Sequence, residues 1–211
     1  MSIQTRILKI KINILICLFI FKTCFDNVNR KFDRIALNQS IKSGSTACVC
    51  FVEHTTSKKL LHIAWCGDSQ FCLIKNGQLY FITEPHKPNS PNEKDRIEMS
   101  GGFVACVANT WRINGTLAVS RSFGDIAFQT NRLVIAEPDV KTIELDGTED
   151  YFIMGCDGLF EFIDYEKDLL YQFIDEKLNE NSENIAEILV NRAKENGSTD
   201  NITCIFVKLN Y

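Results

Sequence analysis

The sequence predicts an α+β fold in which antiparallel strands are flanked by helices. Three observations lead there. The order of elements is a helix, a run of strands, helices and a last strand, which suits α+β rather than a doubly wound parallel sheet. The stretch FCLIKNGQLYFI sets Asn76-Gly77 between two apolar runs, the strongest short-range signal of a β-hairpin. At 211 residues, 45% of them hydrophobic and 24% charged, the chain has the length and composition of one soluble globular domain with a sizeable core.

The elements follow in order from apolar spacing. Phe25, Val28, Phe32, Ile35 and Ala36 recur at helical intervals, predicting one amphipathic helix over 24–41. Residues 47–53 and 59–66 are rich in Val, Ile, Leu and Cys; with the hairpin they predict three or four antiparallel strands within 46–83. A short helix over 92–99 should stop at Gly101-Gly102. Strands are expected at 116–120, 141–145, 151–156 and 202–209. Helices are expected at 167–178 and 182–196, the second capped by Ser182 and ended by Gly197.

Charge and cysteine usage narrow the function. A net charge of -4, with no basic stripe carrying interleaved aromatics, gives nothing for nucleic acid to bind. Nine cysteines, none in a C-x-x-C pair, read as small buried hydrophobes (Cys66, Cys204) of a reducing compartment, and a zinc site is not expected. Arg6, Lys9 and Lys11 precede the apolar run INILICLFIF at 12–21, which is similar to the first two regions of a secretory signal but shorter than a membrane span and followed by no small-residue cleavage site. The sequons at Asn38, Asn114, Asn196 and Asn201 are too common a pattern to establish secretion. The expected compartment is the cytoplasm or nucleus; the alternative, through residues 12–21, is membrane association or secretion.

Three acids occupy the same kind of place. Asp68 in WCGDSQ, Asp157 in GCDGLF and Asp200 in GSTDNITCIFV each stand at the end of an apolar strand beside small residues. Asp157-Gly158 alone would read as a turn. Three strand-end carboxylates instead suit a hard divalent ion, Mg²⁺ or Mn²⁺, and ions so held could serve phosphoryl transfer.

The blocks SGSTA (43–47), WCGDSQ (65–70), EPHKP with EKDRIEMSGGFV (84–104), WRINGTLAVSRSFGD (111–125), EPDV (137–140), DYFIMGCDGLFEF (150–162) and GSTDNIT (197–203) resemble, in that order, the metal-dependent protein serine/threonine phosphatases of type 2C. GDSQ, HKP, WRING and LDGTEDY look most like the calcium/calmodulin-dependent kinase phosphatase branch. The resemblance covers residues 24–211 and assigns no role to the apolar segment 1–23. It implies a β-sandwich flanked by helices, phosphoserine or phosphothreonine proteins as substrate, and Mg²⁺ or Mn²⁺ as cofactor. By position it implies that Asp157 and Asp200 are core metal ligands and that Asp68 serves a weaker third ion. Arg112, Arg121 and His86 fall in blocks that read as architecture, and Ser45 and Thr46 have no base to activate them, so no catalytic side chain is assigned.

The family pattern also has an upstream half, with a phosphate-binding arginine, a glutamate and an Asp-Gly-His-Gly-Gly block whose aspartate bridges two ions. These have no counterpart in the 211 residues. The expectation is a truncated form with an incomplete site, or alternatively an inactive binding module. The run at 12–21 would then cover part of a core face left open.

Overall fold

The computed structural model describes residues 3–164, 168–180 and 184–209. In chain order the elements are α1 (Ile3–Gln39), β1 (Gly44–Ser45), β2 (Ala47–His54), β3 (Lys59–Cys66), β4 (Gln70–Lys75), β5 (Gln78–Ile82), α2 (Pro91–Met99), β6 (Val104–Val107), β7 (Thr110–Ile113), β8 (Phe123–Gly124), α3 (Ile126–Gln129), β9 (Asp139–Leu145), β10 (Glu149–Gly155), α4 (Asp157–Phe160), α5 (Asp168–Asn179), α6 (Ile185–Glu195) and β11 (Cys204–Lys208). The pairings β1-β8, β2-β3, β4-β5, β4-β10, β10-β11 and β6-β7 are antiparallel, in line with the α+β expectation. They belong to two compact units, one of residues 1–67 and 86–144, the other of 68–85 and 145–211.

In the second unit a four-stranded sheet runs β11-β10-β4-β5. The β4-β5 hairpin turns at Asn76 (φ 51°) and Gly77 (φ 68°), the left-handed pair that a two-residue turn needs to match strand twist. Cys72, Ile74, Tyr151 and Ile153 meet Leu170, Ile174, Ile185 and Leu189 of α5 and α6 in one core, so the amphipathic helices bury their apolar stripes on the sheet. Each such fully buried aliphatic side chain contributes about 1.5–3 kcal/mol. The predicted cap Ser182 lies outside the described residues. Asn184 caps α6 instead: its side chain accepts from the Glu187 backbone N–H at 3.1 Å and its amide donates to the Glu187 carboxylate at 3.0 Å. Gly197, at φ 99°, ends the helix as expected.

In the first unit β2-β3-β9 form a three-stranded sheet. α1 begins far upstream of the predicted residue 24 because the apolar run at 12–21 continues the same helical path, unbroken through residue 23. Phe25 is buried and Phe21 half-buried against Ala47, Ala64, Cys66 and Phe123, while Leu15, Ile16, Phe19 and Ile20 remain exposed. No helix among the described residues is long and apolar enough to cross a membrane. The strand expected at 116–120 does not form. Asn114 (φ 50°) and Gly115 (φ 70°) turn the chain back, leaving a single bridge between Ile113 and Leu117, and the extended segment lies earlier, in the β6-β7 hairpin.

A buried ion network organises this unit. Glu93 on α2 accepts from Arg121 at 2.6 and 3.0 Å and from Arg96 at 2.8 Å, and Arg121 also reaches Asp139 at 2.9 Å. Burial alone would raise the Glu93 carboxyl, but Arg121, Arg96 and Ser120 outweigh it and hold it at about 2. Asp139 is lowered to about 2 by its hydrogen bond from His86, against some desolvation, and by Arg121. Both folded values lie below the ordinary carboxylate range. The stabilisation is therefore complete above about pH 5 and is lost as the pH falls toward 2. Glu93→Gln removes the charge from two half-buried guanidinium contacts, although Arg121 keeps Asp139 and Arg96 keeps the Ser120 carbonyl, and should cost about 1.5–3 kcal/mol in urea unfolding at neutral pH. The gap between variant and parent should narrow from about pH 5 down to pH 3, as the unfolded parent's Glu93 takes up a proton that the folded form refuses.

Candidate metal centre

The three acids singled out in the sequence all belong to the second unit, and strand register explains their placement. Gln70 of β4 pairs with Gly155 of β10, and Gly155 pairs with Cys204 of β11. That row ends the sheet. Asp68 precedes it on one strand, Asp157 follows it on the next, and Asp200 precedes it on the third, so all three leave the same edge of one sheet.

Asp157 and Asp200 are brought together by close backbone packing. Gly158 has no room for a side chain: an added Cβ would lie 2.5 Å from the Asn201 carbonyl oxygen and 3.2 Å from Asp200 Cβ. Gly155 is similarly enclosed, by the Thr203 carbonyl at 2.7 Å and by Leu159. Polar contacts lace the same two segments. The Cys156 thiol donates to the Asn201 carbonyl at 3.1 Å and accepts from the Thr203 N–H at 3.2 Å. The Ser198 hydroxyl donates to the Gly158 carbonyl at 2.8 Å. Each carboxylate is oriented by the same local device, since Asp157 Oδ1 accepts from the Gly158 N–H at 2.9 Å and Asp200 Oδ1 from the Asn201 N–H at 2.7 Å.

Asp68 is buried, with 6% exposure, whereas Asp157 is half-buried and Asp200 exposed. Gly67 just before Asp68 takes φ 101°, a left-handed value that favours glycine. The three carboxylates share an edge without converging: among the described residues only the ligand atoms of Cys17, Glu53 and His62, in the first unit, all lie within 4.8 Å of one another. The all-oxygen donor set in a glycine cradle fits a hard divalent ion that takes water for its other ligands.

The other residues considered are engaged in the first unit. His86 Nδ1 accepts from the Gly67 N–H at 3.0 Å, which places the ring proton on Nε2, 3.3 Å from Asp139 Oδ2. Its ring stacks on Trp65 at 6.2 Å. Arg121 is committed to Glu93 and Asp139, Arg112 donates to the Thr116 carbonyl at 2.7 Å, and the Ser45 hydroxyl to the Thr46 carbonyl at 2.9 Å. Residues that sequence reasoning missed are Gly158, Cys156 and Ser198, which position the acids. Their only signal was the density of small residues around each acid.

The model of the family described as "Protein phosphatase 2C" matches residues 20–202. The chain is 39% identical over 189 residues to human "Protein phosphatase 1F", covering 89% of this chain and 40% of that protein. It is 38% identical over 188 residues to mouse "Protein phosphatase 1E", covering 88% and 24%. The chain thus spans well under half the length of these relatives. Among solved structures, a C. elegans sex determining protein superposes with a TM-score of 0.80 at 23% identity, over 90% of this chain and 46% of that one. A serine-threonine phosphatase 2C from Toxoplasma gondii gives 0.75 at 21% identity, over 89% and 65%. At those identities the superpositions speak to the fold alone.

Gly158→Ala forces the Asp200 loop outward. It should lower stability by about 1–3 kcal/mol in urea unfolding and weaken Mn²⁺ binding measured by titration calorimetry.

Proposed function

The chain belongs to the protein phosphatase 2C family, and from that premise we propose that it serves metal-dependent hydrolysis of phosphoserine and phosphothreonine in proteins, on the kinase-phosphatase branch its sequence blocks resemble. The observation that carries this reading is the shared edge: Asp68, Asp157 and Asp200 leave three neighbouring strands of one sheet beside the row Gln70-Gly155-Cys204. Mg²⁺ or Mn²⁺ is the cofactor the donor set suits. Asp157 and Asp200 are the principal ligands, and Asp68 attends a further ion. A bound ion supplies positive charge to a transferring phosphoryl group and activates water. The protein holds the Asp157 and Asp200 carboxylates in fixed orientation through the Gly158 and Asn201 N–H groups, so little reorganisation is needed when an ion arrives.

The spacing of the acids limits what these 211 residues do alone. The three carboxylates do not form a cluster within 4.8 Å, which supports reading the site as incomplete in these residues. The purified chain is therefore expected to hydrolyse p-nitrophenyl phosphate with Mn²⁺ at or near background. Joining it to the preceding segment of a family member should raise the rate by orders of magnitude, and Asp157→Asn in that fusion should remove the gain. A fusion that folds, binds Mn²⁺ and stays inactive would favour the alternative, a binding module that uses the fold for docking. Robust turnover by the unmodified chain would overturn the incomplete-site reading.

A further inference from the structure

We propose that Cys17, Glu53 and His62 form a zinc-binding site that staples α1 to β2 and β3. Their ligand atoms, one thiol, one carboxylate and one imidazole, all lie within 4.8 Å of one another. The ligands of a tetrahedral zinc ion stand about 3.3–3.7 Å apart, given bonds of about 2.0–2.3 Å. Small side-chain rotations at Cys17 and Glu53 are enough to reach that spacing.

The donor chemistry separates this cluster from the acids of the second unit. Thiolate and imidazole suit a borderline ion such as zinc and are poor ligands for Mg²⁺. The three protein ligands leave a fourth position for water, the composition of an open zinc site. His62 is prepared for the role. It is 1% exposed, its Nδ1 lies 2.9 Å from the Thr142 hydroxyl on β9, and its Nε2 lies 3.0 Å from Glu53 Oε2. Without an ion, Nε2–H donates to Glu53 and Nδ1 accepts from the Thr142 hydroxyl; zinc would take the Nε2 position once the ring proton sits on Nδ1, which then donates to Thr142 as an outer partner. Phe51 stacks on the ring at 5.3 Å and Phe21 lies 6.4 Å away. Cys17, Phe21 and Phe51 also line an apolar cleft of about 380 Å³, so the cluster has a hydrophobic shell on one side.

Binding would replace the thiol proton by the Cys17–zinc bond and release that proton to solvent. The gain to the protein is mechanical. α1 otherwise meets the sheet here through apolar contacts only partly shielded from water, and an ion shared by three elements fixes the helix in place. No C-x-x-C spacing announces the site, because its ligands come from separate elements, which is why the sequence argued against zinc.

The test uses the purified full chain, stripped of metal by chelator and held in excess Mg²⁺ to occupy carboxylate sites. Zinc chloride titrated calorimetrically should bind once per chain and raise the unfolding temperature. Cobalt chloride should give the thiolate charge-transfer absorption of a tetrahedral site. Cys17→Ser should abolish that absorption although eight other thiols remain. Thr142→Ala should weaken zinc affinity by about 10- to 100-fold, and Asp157→Asn should leave it unchanged. Should Cys17→Ser fail to fold, Glu53→Gln at a half-exposed position provides the same comparison, with zinc affinity lowered at least tenfold. No zinc binding above that of Mg²⁺, or a cobalt thiolate band that persists in Cys17→Ser or zinc affinity unmoved in Glu53→Gln, would overturn the assignment.

Discussion

The register that sets Gln70, Gly155 and Cys204 in one row across β4, β10 and β11 is the constraint on which the candidate metal centre depends. Side chains alternate along a strand, so a slip of one residue would turn Ile153 out of the core and displace Asp157 along the sheet edge. Burial of Ile153 and Leu73, both fully enclosed, makes that slip costly. Packing in the sheet interior therefore fixes the acids at its rim. The same logic explains why Gly155 and Gly158 lack side chains: the β10 end and the Asp200 loop approach so closely that any Cβ would part them.

The first unit is organised by charge as much as by apolar burial. Glu93 takes two guanidinium groups, and Arg121 carries the network on to Asp139, which also faces His86. Desolvating a carboxylate is expensive, and only because both of its oxygens are met by cations does the charged form prevail. Arginines that might be read as phosphate clamps are thus spent on architecture. His86 accepts from the Gly67 N–H and stacks on Trp65, so its ring is engaged within the first unit.

Local chemistry was legible in the sequence and long-range approach was not. The Asn76-Gly77 hairpin could be read because two left-handed residues in succession are rare outside such turns. The α6 stripe and its Gly197 stop could be read from spacing alone. The pairing of β10 with both β4 and β11 joins residues far apart in the chain, and no local pattern encodes a partner. For the same reason Asp157-Gly158 looked like a turn: the steric demand on Gly158 comes from Asn201, which only the fold brings near. The strand expected at 116–120 failed because apolar content was weighed above the Asn114-Gly115 turn beside it.

The two candidate metal centres differ in donor chemistry, and the difference has a functional consequence. Carboxylates at a sheet edge, with Asp200 exposed and Asp157 half-buried, suit a hard ion that keeps water among its ligands. A thiol, a carboxylate and a buried imidazole contacted by Thr142, drawn from three elements, are the donor set that would suit a structural clamp. Selectivity between such sites follows from ligand type rather than from raw affinity. On the two proposed assignments, the donor sets rank ions differently: oxygen alone at Asp157 and Asp200 admits hard ions, whereas the thiol and imidazole of Cys17 and His62 favour zinc over Mg²⁺.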